Sequence, residues 1–284
     1  PGLISGSADL TGSNGTGLDR TTAFSADDRT GRYLHYGVRE HAMGAALVGM
    51  AQHGGTLPIG GTFFVFSDYM RPSIRLAALS GAKCCFVFTH DSVGVGEDGP
   101  THQPVEHLAT LRAMPDLHVI RPADGNETIQ AWADVVRHDG PSVLVLSRQN
   151  IRVTTDGSAV ARGAGIVSDC EGPPQIVLVG TGSEVELCVD AATALGEQGV
   201  AARAVSLPSW DRFAEQDVSF RRRILPPGVP VVSVEAATTF GWDRYADVAI
   251  GIDRFGASAP GGLVLDKLGI NVDHVVQRAL DLVT

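Results

Sequence analysis

Short apolar runs alternate with helix-like patterns along the whole chain of 284 residues, and this alternation limits the possible folds more than any other feature. Runs such as KCCFVFT, SVLVLS and QIVLVG are typical of strands, and strands that alternate with helices favour parallel sheets covered by helices. The sequence therefore predicts an α/β protein, with strands at 2–7, 32–36, 57–60, 83–89, 117–120, 142–147, 175–180, 201–206, 230–235 and 247–251.

Helical patterns fill most of the intervals between these strands. Residues 126–136 illustrate the signal: Asn126 can cap a helix, and Glu127 suits the positive end of the helix dipole. Apolar side chains then recur on one face, at Ile129, Trp132, Val135 and Val136. Helices are predicted at 39–53, 68–80, 105–112, 125–138, 183–198 and 271–283.

One stretch interrupts the alternation. Residues 151–174 combine turn residues with mixed charge and have no sustained period, which indicates a linker or a peripheral hairpin. The chain is long enough for two domains. We therefore predict a first domain at 1–150, a linker at 151–170 and a second domain at 171–284, each domain a mostly parallel sheet covered by helices.

The charge balance excludes several classes of function. The chain has 22 basic and 32 acidic residues, a formal net charge of −10, and no basic block. Such a chain is a poor candidate for binding nucleic acid or an anionic membrane. The four cysteines have neither metal-binding nor disulfide spacing, so we expect a cytoplasmic protein. The start, PGLISGSADL, lacks an initiator Met and enters a strand almost at once, so we expect a piece of a larger enzyme.

Polar side chains follow several of the predicted strands. In parallel sheets, ligands bind beyond the carboxyl ends of the strands, and these ends lie at one edge. If the first sheet is parallel, this edge gathers the residues that follow its strands: Asp9, Ser13, Glu40, His90, Asp91 and Arg148.

An aromatic stretch, GGTFFVFSDYM, adds Phe63, Phe66 and Tyr69 at every third position. Spacing alone favours a helix face packed into the core. The alternative is an aromatic wall for a flat heterocycle, where each ring pair contributes about 0.5–1.5 kcal/mol. Glu40, at the start of GVREHAMGA, is similarly ambiguous: it either caps a helix or serves chemistry in a dry site.

Taken together, five segments resemble the transketolase family in order and spacing. They are GRYLHYGVREHAMGA, GGTFFVFSDYMRPSIRLAALSGAK, THDSVGVGEDGPTHQPVEHLATLRAMPDL, RPADGNE and SRQN, and VGTGSEV and DRFGASAP extend the resemblance to the second domain. The resemblance implies the second and third of three α/β domains: the pyrimidine-binding domain and the C-terminal domain. It also implies transfer of a two-carbon ketol unit between sugar phosphates in the pentose phosphate pathway, with thiamine diphosphate as cofactor.

The resemblance assigns roles to individual residues. Glu40 would hydrogen-bond N1′ of the aminopyrimidine ring and so promote loss of the C2 proton, and His102 would assist catalysis and bind substrate. The implied cofactor-binding residues are Asp9, Glu40, Phe63, Phe66 and Tyr69. The implied substrate-binding residues are Ser13, His90, Asp98, His102 and Arg148, with Ser13, His90 and Arg148 on the substrate phosphate.

One family motif is missing from this sequence. The Gly-Asp-Gly motif through which the family's first domain binds the diphosphate and a divalent metal does not occur here. We therefore expect no metal ligand in this chain, with Mg²⁺ or Ca²⁺ held by the missing N-terminal domain. The expected partners are sugar phosphates, a second copy of the chain in a homodimer, and a diphosphate-binding domain or subunit.

Other interpretations stay open. The domain content also fits the β-type subunit of a 2-oxoacid dehydrogenase, a deoxyxylulose-phosphate synthase fragment or dihydroxyacetone synthase. A non-catalytic assembly module is the alternative from a different class. In VGTGSEVEL, two glycines between a strand and a helix resemble a phosphate loop, but the spacing favours a tight turn with Ser183 as helix cap.

Overall fold

The first domain is built on a six-stranded sheet. The computed structural model describes residues 2–17 and 20–283. Every strand pair in this sheet is parallel, in the order β2-β1-β3-β4-β6-β5. Its strands are β1 (Leu3–Ser7), β2 (Tyr33–His35), β3 (Leu57–Phe63), β4 (Cys85–Thr89), β5 (His118–Ile120) and β6 (Ser142–Leu146).

Helices cover this sheet. They are α1 (Thr11–Asn14), α2 (Glu40–His53), α3 (Ser67–Ser80), α4 (His107–Arg112) and α5 (Gly125–Arg137), with 3₁₀ turns at Phe64–Phe66 and Val93–Val95. The small side chains of α2 let α3 approach closely, since a Cβ atom added to Gly44 would lie 2.7 Å from Cβ of Ser73. This close packing explains why α2 continues with small residues after Glu40.

The second domain has a five-stranded mixed sheet in the order β11-β10-β8-β9-β7. Four strands are parallel, and β7 pairs antiparallel with β9. The strands are β7 (Gly165–Ser168), β8 (Ile176–Gly180), β9 (Ala202–Ser206), β10 (Val231–Val234) and β11 (Val248–Ile250). The helices are α6 (Ala159–Arg162), α7 (Glu184–Glu197), α8 (Trp210–Ala214), α9 (Val218–Ile224), α10 (Gly261–Lys267) and α11 (Val272–Val283), with a 3₁₀ turn at Trp242–Arg244.

This architecture confirms the predicted α/β class with two sheets. Central strands such as β4 and β8 are buried along their whole length, which is why they appear in the sequence as unbroken apolar runs. The stretch 151–170, predicted as a linker, contains α6 and β7, and β7 is part of the second sheet. The division of the chain at 150 and 170 stays a prediction. No helix of the described residues is long and apolar enough to cross a membrane.

Candidate active site

The carboxyl edge of the first sheet gathers the predicted site residues. Because β1 to β6 are all parallel, the residues that follow them meet at one edge. Asp9 follows β1 and His90 follows β4, and both have left-handed backbone conformations, with φ of 66° and 62°. Non-glycine residues adopt this conformation rarely, and strained positions of this kind cluster at functional sites, although Arg20 and Asp116 also have positive φ here.

Aromatic rings form a continuous layer at this edge. The ring of His90 stacks on Phe63 with centroids 3.8 Å apart, and Phe66 lies 5.9 Å from Phe63. His102 meets Phe66 edge-on at 5.4 Å, and Tyr69 lies 6.0 Å from Phe66. Tyr69 is 67% exposed, so this layer ends in an open aromatic surface. The core interpretation fits the neighbouring Phe64, which is fully buried, rather than Phe66 or Tyr69.

Glu40 is the first residue of α2 and is only 7% exposed. Its neighbour His41 is fixed to α3, since the hydroxyl of Ser73 lies 3.0 Å from Nδ1 of His41 and donates to the His41 carbonyl at 3.1 Å. Within the described residues, the Glu40 carboxylate has no hydrogen-bond partner. Its oxygens are not among the fully enclosed polar atoms of the described residues, so a ligand that offers a hydrogen-bond donor can reach them.

A groove of about 830 Å³ opens beside the aromatic layer. It is lined by three of the predicted phosphate-binding residues, Ser13, His90 and Arg148. Burial and the nearby Arg148 guanidinium lower the pKa of His90, while Asp91 and Asp98 partly offset this, and His102 lowers it further. His90 is therefore a neutral imidazole near pH 7, with the charges of Arg148 and Asp98 close by.

Residues that sequence reasoning did not identify hold His90 in place. Asn14 Nδ2 donates to Thr89 Oγ1 at 2.7 Å, and Thr89 Oγ1 lies 2.9 Å from His90 Nδ1. Ser7 Oγ donates to Asn14 Oδ1 at 2.9 Å, which orients the amide. Thr89 Oγ1 accepts from Asn14 and has no other acceptor for its proton among the described residues, so we assign that proton to the bond with Nδ1 of His90. This leaves Nε2 of His90 as a donor.

A buried arginine connects this edge to the second domain. Arg121 Nε donates to Asp91 Oδ2 at 2.9 Å, directly after His90 in sequence, and Nη1 contacts Glu184 and the Thr181 carbonyl. The TGSE turn makes room for the guanidinium, since a Cβ at Gly182 would lie 2.5 Å from its carbon. The tight turn predicted in VGTGSEVEL is therefore confirmed, but Ser183 makes no capping hydrogen bond. The sequence offered one sign of this role for Arg121: an arginine directly after a strand, in RPADGNE.

Not every predicted residue joins the groove or the ring layer. Among the described residues, no hydrogen bond links Asp9 or Glu40 to the other predicted site residues. Within residues 2–17 and 20–283, one group could hold a metal ion: Asp68, Glu106 and His107, whose ligand atoms lie within 4.8 Å of one another. Asp68 already bonds Nε2 of His107 at 3.2 Å, and both carboxylates are exposed. The absence of a metal ligand therefore stays a prediction.

Comparison with known proteins agrees with this geometry. Residues 1–154 match the family model of the transketolase pyrimidine binding domain, and residues 163–271 match that of the transketolase-like C-terminal domain. These two matches define the class of the chain: a transketolase pyrimidine binding domain joined to a transketolase-like C-terminal domain.

Individual relatives narrow the class. A transketolase of Halalkalibacterium halodurans is 50% identical over 98% of this chain and 43% of its own length. A solved transketolase of Leishmania mexicana has 48% identity and a TM-score of 0.97, covering 100% of this chain and 43% of that one. A Pichia stipitis transketolase in complex with sedoheptulose 7-phosphate has 42% identity and a TM-score of 0.96 with the same coverage. The chain belongs to the transketolase family, and it spans about 43% of the length of these relatives.

Proposed function

We propose that this chain forms one side of a transketolase active site, which transfers a two-carbon ketol unit from a ketose phosphate to an aldose phosphate. One observation carries the proposal: a partnerless buried glutamate, an aromatic layer and an anion-suited groove lie at one sheet edge. The family supports it, since the Pichia stipitis relative is described in complex with a sugar phosphate. The reaction belongs to the pentose phosphate pathway, and we propose that it takes place in the cytoplasm.

The site residues fit an aminopyrimidine ring. Thiamine diphosphate, when bound, supplies the nucleophile that attacks the sugar carbonyl. Phe66 and Tyr69 offer ring faces for stacking, with Phe63 behind them, and Glu40 would hold a proton at N1′ of the ring through a charge-assisted hydrogen bond. Asp9 would contribute a carboxylate near the cofactor.

The groove would hold the substrate phosphate. Arg148 can bind two phosphate oxygens through its planar fork, His90 would donate from Nε2, and Ser13 would add a hydroxyl donor. Asp98 would accept a hydrogen bond from a sugar hydroxyl. His102 lies against Phe66, where a neutral imidazole can bond a hydroxyl or carry a proton during the reaction.

The active assembly would need a partner. We propose that a diphosphate-binding domain, with Mg²⁺ or Ca²⁺, faces this edge, and that the assembly is a homodimer. Exposed apolar side chains on one side of α3, namely Tyr69, Leu76 and Leu79, provide surface that such a partner would cover. The helix that carries this surface, α3, packs against α2, and α2 begins with Glu40.

Parallel assays with different substrates test the proposal. The full protein is assayed with xylulose 5-phosphate and ribose 5-phosphate, and in parallel with pyruvate and with formaldehyde as acceptor. We expect ketol transfer between the two sugar phosphates. Turnover of pyruvate instead would indicate a 2-oxoacid dehydrogenase or deoxyxylulose-phosphate synthase, and a strong preference for formaldehyde would indicate dihydroxyacetone synthase. No turnover in any assay would favour a non-catalytic module.

A further inference from the structure

The segment that connects β4 to α4 carries two of the proposed substrate-binding residues, and we call residues 93–105 the substrate loop. Asp98 is exposed, and its side chain has no hydrogen-bond partner within the described part of the chain. The side chain of His102 hydrogen-bonds only that of its neighbour within the same described residues, with Nδ1 2.9 Å from Thr101 Oγ1. The positions of these two side chains therefore depend on how the backbone of the substrate loop is held.

Both ends of the substrate loop are anchored in the second domain. Val93 and Val105 are buried in the same hydrophobic cluster as Ile252 and Val264, which belong to the second domain. The carbonyl of Val105 also accepts a hydrogen bond from the backbone of Thr238 at 2.9 Å. The first domain supplies the strand that leads into the loop, but the second domain buries the base of the loop.

Gln103 ties the loop together at this base. Its side chain is 2% exposed, and its amide nitrogen lies 2.9 Å from the carbonyls of Gly96 and Ala257 and 3.3 Å from that of Val93. Two of these acceptors lie within the substrate loop. Ala257 lies in the segment 251–260 of the second domain, which we call the clamp loop.

The clamp loop and the first residue of α10 lie so close to the substrate loop that an added Cβ atom would force a neighbouring atom to shift. A Cβ atom added to Gly256 would lie 1.9 Å from Oε1 of Gln103, and one added to Gly261 would lie 2.4 Å from the carbonyl oxygen of Gly94. Ser258 of the clamp loop donates from Oγ to the carbonyl of Glu97 at 2.5 Å, one residue before Asp98. The clamp loop thus lies directly against the backbone that carries the substrate-binding residues.

We propose that Gln103 is a positioning residue, through which the clamp loop of the second domain fixes the substrate loop with Asp98 and His102 at the active site. This inference rests on the proposed function for the role of those two residues. It gives the second domain a task in substrate binding, although that domain contributes none of the proposed cofactor-binding or substrate-binding side chains.

Two variants disturb the contact, one in the substrate loop and one in the clamp loop. Gln103→Met removes the donor while keeping a side chain of similar length, and Gly256→Ala keeps the Gln103 side chain but displaces its amide, because the added Cβ would lie 1.9 Å from Oε1. Gly262→Ala is the matched control, because a Cβ there meets nothing within 4 Å and the position lies in α10. Hydrogen exchange by mass spectrometry on the full chain reports on the loop amides of Gly96, Gly99 and His102, which are hydrogen-bonded within the loop.

We expect both test variants to raise exchange at these amides by about 10-fold, as for the loss of one net hydrogen bond, while amides of β4 and α2 keep their protection. In the active assembly, kcat/KM for xylulose 5-phosphate should fall by about 10-fold, mainly through KM. Gly262→Ala should change neither quantity.

Three results would overturn the inference: unchanged loop exchange in both test variants, an equal change in the control, or raised exchange with unchanged kcat/KM. If the wild-type assembly transfers no ketol unit, the proposed function fails, while the exchange data still decide whether Gln103 holds the loop.

Discussion

Glu40 is the residue on which the proposed chemistry depends most. The Glu40 residue is 7% exposed and its carboxylate has no hydrogen-bond partner among the described residues, yet the oxygens are not fully enclosed, so a donor on a ligand can reach them. A capping glutamate would accept from a backbone amide at the start of its helix, as Glu127 does from Ala123, and would contribute under about 1 kcal/mol, whereas the Glu40 carboxylate accepts from no amide of the described residues. The burial of Glu40 without such a bond to the described chain therefore favours the chemical interpretation over the capping one.

Glu40→Gln tests that interpretation. The amide keeps the shape of the side chain but cannot form a charge-assisted hydrogen bond to the cofactor ring. In the complete enzyme, we expect deuterium exchange at C2 of the bound cofactor to slow by about 100-fold or more, with the fold retained. Glu197→Gln, at an exposed position at the end of α7, is the control and should exchange normally. An unchanged rate in Glu40→Gln would contradict the role.

Arg148 should discriminate between charged and uncharged substrates. It lines the groove with Ser13 and His90, so removing its guanidinium removes a charge-assisted contact to phosphate. Arg148→Ala is expected to raise KM for phosphorylated sugars by about 10- to 100-fold and to affect hydroxypyruvate much less. Arg152→Ala deletes the same charge from an exposed pair with Asp190 and should leave both KM values unchanged. Equal damage to both substrates by Arg148→Ala would argue against phosphate binding.

At the scale of elements, sequence patterns located α5 but misjudged its details. The predicted range 125–138 agrees with Gly125–Arg137, yet the cap is Asp124, whose Oδ1 accepts from the amides of Asn126 and Glu127. Ile129 is mostly exposed, while Glu127 is fully buried and accepts from the Ala123 amide at 2.7 Å. Apolar periodicity cannot reveal a buried carboxylate with a local partner. The short edge strand β7 was missed because it depends on pairing with β9.

The site shows the same contrast: some residues could be recognised from the sequence around them, and others depend on partners far away in the chain. Motif residues at strand ends, such as His90 and Arg148, could be predicted because parallel pairing alone brings them to one edge. Asn14 and Gln103 could not, because the partners that give them their roles, Thr89 and Ala257, lie 75 and 154 residues away in sequence. A polar residue in a turn carries no local sign of such a contact.

The contacts between β1, α1 and β4 lead to a prediction about proton position. Asn14 links these elements and, through Thr89, places the proton of neutral His90 on Nε2. Asn14→Asp replaces a donor with an acceptor, so the Thr89 hydroxyl should turn to the new carboxylate and His90 should donate from Nδ1. The added negative charge should also raise the pKa of His90.

Nitrogen-15 NMR of the His90 ring distinguishes the two tautomers. We expect the Nε2–H form in the wild type and the Nδ1–H form in Asn14→Asp, each measured above the pKa of His90. Asn150→Asp is the control, because it adds the same charge to the groove without touching Thr89. An Nδ1–H form already present in the wild type would refute the assignment.

At the scale of the whole molecule, buried charges hold the two domains together. Arg112 of α4 makes a bidentate ion pair with Glu235, which follows β10, with both N–O distances 2.8 Å. Trp242 Nε1 also donates to Glu235 at 2.9 Å, and Thr181 bonds it from the turn that holds Arg121. Together with Arg121, Asp91 and Glu184, this network connects the substrate edge to the core of the second domain.

The Arg112–Glu235 pair should make stability depend on pH in a defined direction. Burial alone would raise the pKa of Glu235, but the Arg112 guanidinium outweighs it and lowers the pKa from 4.5 to about 2. A lowered folded-state pKa means that the stabilisation is present above pH 4.5 and is lost as the pH falls towards 2. The loss should amount to about 3 kcal/mol across that window.

Arg112→Met leaves Glu235 buried without its cation, so we expect the free energy of unfolding at pH 7 to fall by about 3–5 kcal/mol. The pKa of Glu235 should then rise, because Arg121 and the remaining hydrogen bonds oppose the effect of burial less strongly than Arg112 did, and the loss of stability between pH 4.5 and 2 from this group should become smaller. Urea unfolding at pH 7, 4.5 and 3 measures both effects. Arg278→Met breaks an exposed pair with Asp281 and should cost under about 1 kcal/mol. A similar cost in the two variants, or the wild-type acid dependence retained in Arg112→Met, would show that this ion pair does not hold the domains together.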